Sequence, residues 1–135
     1  MKYMLDTNTC IFAINGNPIV RSRFVEEYPF GIAISTITEA DLWYGIENSN
    51  AQEKNADILR TFLATVEILP FDTLAAAAYG RVRAQLKRAG TPIGERDTLI
   101  AAHAKALGLT LVTNNIKEFG RVEGLAIEDW KKYGL

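Results

Sequence analysis

The run Ile93-Gly-Glu-Arg-Asp-Thr-Leu-Ile-Ala-Ala-His-Ala-Lys-Ala-Leu-Gly-Leu-Thr-Leu-Val-Thr-Asn-Asn115 decides the fold. Its first part, residues 93–107, reads as a helix, and Gly108 follows where a C-terminal glycine belongs. Leu109-Thr-Leu-Val-Thr113 then reads as a short apolar strand that stops at Asn114 and Asn115. A helix feeding an apolar strand is half of the repeating unit of a parallel sheet, whose strands can be joined only by crossover connections. The same alternation recurs upstream. Residues 2–5 form a strand halted by Asp6-Thr7-Asn8, and Ile32-Ala-Ile-Ser35 is a second, stopped by Ser35 and Thr36. Helix formers occupy residues 37–47, and Ile58, Leu59, Phe62, Leu63 and Val66 recur at helical intervals within residues 51–66. Glu67-Ile-Leu-Pro70 is a further strand closed by its proline. Asp72 caps a long helix carrying Leu74, Ala75, Ala78, Val82 and Leu86, which Gly90 and Pro92 end. The pattern predicts a three-layer α/β/α fold around a central, mostly parallel sheet.

The 135 residues fit one domain, residues 1–135, with no repeat, low-complexity tract or linker. Hydrophobic residues at 48% and charged residues at 23% are the balance of a globular protein rather than a disordered or fibrous one. Fifteen Lys and Arg against sixteen Asp and Glu give a net charge of −1, which disfavours nucleic-acid binding by bulk charge and leaves a local basic patch open. No apolar stretch approaches the roughly 20 residues of a membrane span. Asp6 arrives too early for a signal-peptide core. One cysteine, Cys10, excludes an internal disulfide framework and a Cys-rich zinc site, so the expected location is the cytoplasm.

Parallel sheets collect ligands outside the carboxyl ends of their strands, so the polar clusters at residues 6–8, 35–36 and 113–115 should converge. Asp6 heads the first and reads equally well as a helix N-cap. Asp97 shares a helix face with Ile93, Ile100, Ala101 and Ala104, where a carboxylate points inward and needs a partner or a metal; the plainer reading is a first-turn acid complementing the helix dipole. Glu39 and Asp41 lie about 160° apart on one helix, so both cannot enter one site, and flanking apolar residues do not choose between them. Glu118 follows the strand of residues 109–113, with Phe119 beside it suggesting a short packed turn.

Together these residues resemble a known family. Leu5-Asp6-Thr7-Asn8 resembles the opening of PIN-domain nucleases of the VapC toxin type, and Ile34-Ser-Thr-Ile-Thr-Glu-Ala-Asp-Leu-Trp-Tyr-Gly45 their second motif. Ile93-Gly-Glu-Arg-Asp-Thr-Leu-Ile-Ala-Ala-His-Ala104 resembles the third, Leu111-Val-Thr-Asn-Asn-Ile-Lys-Glu-Phe119 the fourth, and Ile127-Glu-Asp-Trp130 the usual ending. The register of the second motif, counted from Thr38 and to Gly45, selects Asp41 over Glu39, and places Asp where the family usually carries Glu.

The resemblance implies a toxin of a type II toxin–antitoxin system: an endoribonuclease dependent on Mg²⁺, with Mn²⁺ as substitute, that hydrolyses RNA, transfer RNA included. It implies Asp6, Asp41, Asp97 and Glu118 as catalytic acids, Asp6 and Asp97 as direct metal ligands, and Thr113 and Asn115 as groups that orient substrate. It also implies a homodimer and a VapB-type antitoxin as partner. The chemistry agrees, since carboxylates crowded at one site repel each other and a phosphodiester unless a cation intervenes, and oxygen-only ligands suit Mg²⁺ or Mn²⁺. Outside these four acids the chain has fifteen basic residues against twelve acidic, and Arg81, Arg83, Lys87, Arg88 and Arg96 lead up to Asp97. Such a run suits RNA phosphates or, as plainly, a solvated helix face. Tyr3, Trp43 and Tyr44 are candidates for base stacking, though such aromatics are more often core. His103 and Cys10 read as packed residues, and Gly16 and Gly94 as turn residues. Two competing readings are a non-catalytic PIN-fold module binding RNA or protein, and a phospho-acceptor receiver domain. The latter lacks its second acid after the first strand and its Lys at the end of the last.

Overall fold

The computed structural model describes residues 1–132; residues 133–135, the end of the span expected to form one domain, lie outside the described residues. Five strands, β1 (Tyr3–Leu5), β2 (Ile32–Ser35), β3 (Glu67–Leu69), β4 (Thr110–Val112) and β5 (Ile127–Glu128), form one sheet in the order β3-β2-β1-β4-β5. Every neighbouring pair is parallel. The helices are α1 (Thr7–Ile14), α2 (Pro18–Glu27), α3 (Thr36–Glu47), α4 (Gln52–Leu63), α5 (Thr73–Arg88), α6 (Glu95–Leu107) and α7 (Ile116–Phe119). They cover both faces, as the alternation predicted.

Strand alternation sorts the core into two layers. Tyr3, Leu5, Ile32, Ile34 and Val112 pack with Cys10 and Ala13 of α1, Val20 of α2, Leu42 of α3 and Leu59 of α4. Met4, Ala33 and Leu111 face the other way, onto Ala78, Val82 and Leu86 of α5, Ile100 and Ala101 of α6 and Phe119 of α7. Leu74, expected on the apolar stripe of α5, is exposed instead, because the buried stripe runs through Ala75, Ala78, Val82 and Leu86 and Leu74 lies off it.

Several boundaries shift. The helix expected over residues 93–107 starts at Glu95, with Gly94 at its N-cap, and ends at Gly108 in the left-handed conformation. Residues 51–66 are helical only over Gln52–Leu63. Besides a 3₁₀ turn at Tyr28–Phe30, two elements lie in stretches where the sequence pattern predicted none. One is α2, whose start is nonetheless written in Asn17-Pro18: the Asn17 side chain accepts from the amides of Ile19 and Val20. The other is β5, a two-residue strand paired with β4 through the main chain.

Because β2 lies on one side of β1 and β4 on the other, the chain reverses direction across the sheet between β1 and β4. The crevice outside the carboxyl ends of such a pair is where doubly wound sheets bind ligands.

Candidate active site

That crevice is where the chain leaves β1 through Asp6. The Asp6 amide donates to the Val112 carbonyl at 3.0 Å, and the Thr9 hydroxyl donates to the same carbonyl at 3.1 Å, so α1 is tied to the end of β4. The Asp6 carboxylate caps α1, accepting from the Thr9 amide at 2.9 Å, and it is almost fully buried. The capping reading of Asp6 is therefore correct, and it does not compete with a place in the site. Burial pushes the Asp6 carboxyl up from its usual range, while hydrogen bonds from Thr113 and Thr9 oppose the rise. Thr113 is itself fully buried and accepts from the Asn115 amide at 3.0 Å, which shapes the turn into α7. Its contact is with Asp6, and Asn115 stands half-buried beside it.

Asp97 sits in the first turn of α6, half-buried, and lines an open cleft of about 290 Å³ with Asp6, Thr7, Asn8, Asp41, Tyr44 and Arg96. Its pKa is raised to about 6, first by burial and then by the negative charges of Asp6, Glu118 and Asp41, in that order, with Arg96 opposing. The charges of the other three acids named from the sequence are thus all felt at Asp97. Glu118 lies half-buried on α7, next to the buried Phe119.

On α3 the helix geometry separates the two acids as expected. Glu39 turns aside and accepts the Trp43 indole N–H at 3.2 Å. Asp41 faces the cleft: Oδ2 accepts the Thr7 hydroxyl at 3.0 Å, and Oδ1 meets the Arg96 Nε at 3.0 Å. Thr7 and the Arg96 link were missed by sequence reasoning. Thr7 carried a signal, as the residue after Asp6; the Arg96 pairing joins two motifs and had none.

Other candidates are placed elsewhere. Tyr3 is buried against Trp130 and Arg23, which removes it from base stacking. Trp43 is half-buried, with Arg60 over its ring, and only Tyr44 is exposed at the cleft. His103 is buried, its Nδ1 2.8 Å from the Ser35 hydroxyl and its ring edge-on to Phe71. Burial holds its pKa below the usual value, consistent with a packed neutral residue. Cys10 is buried and free, its thiol pushed well up by burial. Of the basic run, Arg81, Arg83, Lys87 and Arg88 are exposed on α5, while Arg96 reaches Asp41.

Among the described residues, no group of three acids, histidines or cysteines forms a ready-made metal cage. The donor set nonetheless fits a hard divalent cation, which commonly takes one or two protein carboxylates and completes its shell with water and substrate phosphate. Asp6 and Asp97 line the same cleft, and the negative charges that, after burial, raise the Asp97 pKa are what a cation there would relieve.

Residues 3–125 match the sequence profile of the PIN domain. A Salmonella typhimurium protein named tRNA(fMet)-specific endonuclease VapC is 47% identical over 131 residues, covering 96% of this chain and 98% of its own. A Rickettsia felis protein named ribonuclease VapC2 is 45% identical, covering 98% of this chain and all of its own. The crystal structure of VapBC2 from Rickettsia felis, bound to a DNA fragment from the promoter, superposes with a TM-score of 0.92 at 43% identity, over 96% of this chain and 99% of the other. With the acids gathered at the switch point and the match spanning nearly the whole sequence, this chain belongs to the PIN-domain family, as a nuclease of the VapC type.

Proposed function

We propose that this chain is the toxin of a VapBC-type toxin–antitoxin pair and an Mg²⁺-dependent endoribonuclease whose substrate class is transfer RNA. The observation that carries this reading is the electrostatic coupling of Asp97 to Asp6, Glu118 and Asp41 at the sheet's switch point. The name of the Salmonella relative supports transfer RNA as substrate, and the titles of the solved VapBC complexes support a VapB-type antitoxin as partner. The homodimer expected from the family pattern belongs to the same reading.

In this reading Asp6 and Asp97 hold the ion. A bound Mg²⁺ supplies an acidified water and offsets charge developing on the scissile phosphate. The chain's own residues set the stage. Thr9 and Thr113 fix the Asp6 carboxylate through hydrogen bonds, and the charge of Glu118 is felt at Asp97. Asn115 and Thr113 shape the turn against which substrate lies. No helix among the described residues is long and apolar enough to cross a membrane.

The test is cleavage of a total transfer-RNA pool by antitoxin-free protein with Mg²⁺ or Mn²⁺, with excess chelator and Asp97→Asn as controls. Discrete fragments that vanish in both controls are expected. Intact RNA from folded, metal-loaded protein would favour the non-catalytic binding module.

A further inference from the structure

We propose that Arg96, anchored on Asp41, binds a phosphate of the RNA strand beside the scissile bond. The inference rests on reading the chain as an endoribonuclease and deepens it.

The two ends of the Asp41–Arg96 pair differ sharply in exposure. The Asp41 side chain is 20% exposed and fixed from behind by the Thr7 hydroxyl at 3.0 Å. The Arg96 side chain is 72% exposed. Contact is made through Nε at 3.0 Å, and among the described residues Arg96 makes no other hydrogen bond or ion pair. Both Nη groups therefore remain as donors. An exposed ion pair contributes little to stability, so a role in the fold does not explain it.

Its position does. Arg96 lines the same cleft as Asp6 and Asp97, and its charge is felt at the Asp97 carboxyl. A cleft lined by acids repels a polyanion, and a cation at its mouth offsets that repulsion where a phosphate must enter. The guanidinium suits the task because its planar fork matches phosphate oxygens, and anchoring one edge on Asp41 pre-orients the other. The remaining members of the basic run, Arg81, Arg83, Lys87 and Arg88, lie on α5 with no contact to a site acid. Arg83 instead bonds the Tyr79 hydroxyl at 3.2 Å.

The experiment is steady-state cleavage of transfer RNA with Mg²⁺ across a series of salt concentrations. The proteins are wild type, Arg96→Ala, Arg96→Lys, Asp41→Asn and the Arg96→Ala/Asp41→Asn double variant, each verified as folded by circular dichroism. Arg96→Ala is expected to raise KM about tenfold and to lower kcat less than threefold, because a phosphate contact made equally in ground and transition states acts on KM. The slope of log KM against log salt should fall by about 0.7, the value for one phosphate contact on a single strand. Arg96→Lys should restore the slope and only part of KM. The KM effect of Arg96→Ala should be smaller in the Asp41→Asn background, where the anchor is already lost. An unchanged KM and salt slope in Arg96→Ala overturns the proposal. So does a KM effect of Arg96→Ala that is undiminished in the Asp41→Asn background, which would mean that Asp41 does not anchor Arg96. Absence of cleavage by wild type overturns the endoribonuclease reading instead. The phosphate contact is then decided by fluorescence anisotropy of labelled transfer RNA bound to Asp97→Asn with and without Arg96→Ala, where the same loss of about 0.7 in slope supports it and no loss overturns it. If Asp41→Asn does not fold, Arg96→Ala and Arg96→Lys decide between the same outcomes.

Discussion

At the scale of single residues, Asp97 is required by the proposed chemistry and costly to the fold. Its pKa in the folded protein is about 6, above the ordinary 3.8, because burial and three neighbouring carboxylates disfavour its charge. A raised carboxyl pKa means that the folded state holds the proton more tightly than the unfolded state. The stability this confers is full below about 3.8 and is lost as the pH rises through about 6. Above that, ionised Asp97 is a net burden in metal-free protein. Asp97→Asn is therefore expected to abolish cleavage while making the chelator-treated protein more stable at pH 7.5. Because the group is only half-buried, solvent screening limits the gain to about 1 kcal/mol. Urea melts at pH 7.5 and pH 4 check it: the gain should shrink on acidification, when wild-type Asp97 becomes neutral itself, and an equal gain at both values would show another cause. The acid was legible because it interrupts an apolar helix face, and Asp6 because it ends a strand. The bonds from Thr7 and Arg96 to Asp41 join residues far apart in sequence, where no local pattern records a partner.

At the scale of elements, the same division holds between signals carried within a segment and contacts made across the sheet. The helix–Gly108–strand run was readable because capping and periodicity are local, whereas β5 is two residues long and exists only through pairing with β4. The start of α3 shows both kinds of signal in one side chain. Ser35 was read as a cap from its position after an apolar strand, and its hydroxyl does accept the Ile37 amide at 3.0 Å. The same oxygen is the partner of His103 on α6, 2.8 Å away, which no local pattern discloses. Ser35→Ala removes the cap, worth about 1 kcal/mol, and leaves a buried imidazole nitrogen unsatisfied, worth about 1–2 kcal/mol more. The expected loss is about 2–3 kcal/mol in urea melts, and a change under about 0.5 kcal/mol would mean that the hydroxyl is not the shared anchor. The His103 pKa is held below the usual 6.5, so the unfolded chain takes up the proton first. Its contribution to stability is full above about 6.5 and is lost as the pH falls through that value towards the folded pKa. Asp97→Asn removes one opposing titration and leaves that of Asp6, so adding His103→Gln in that background should make stability at pH 5 higher relative to pH 7, and an identical profile with and without His103→Gln would count against a buried neutral His103.

At the scale of the whole molecule, the sheet order brings separate motifs to one end of β1 and β4, and under the proposed function the acids gathered there would make folding and cation binding a single equilibrium. A ligand that binds only the folded state stabilises it in proportion to the logarithm of its free concentration. Once that concentration exceeds the dissociation constant, each tenfold rise adds about 1.4 kcal/mol per bound ion. In the proposed reading one ion is held by Asp6 and Asp97, which line one cleft. The unfolding free energy of wild type, measured by urea melts at pH 7.5 over increasing free Mg²⁺, is therefore expected to rise by about 1.4 kcal/mol per decade. Asp97→Asn should show a much flatter response, since half of the direct ligand pair is gone. A slope near 2.8 kcal/mol per decade would mean that two ions bind with folding and that Asp41 or Glu118 ligates the second. Equal slopes in wild type and Asp97→Asn would remove Asp97 from the metal site altogether. Because this readout needs neither substrate nor turnover, it separates the assignment of the acids from the identity of the RNA they cut.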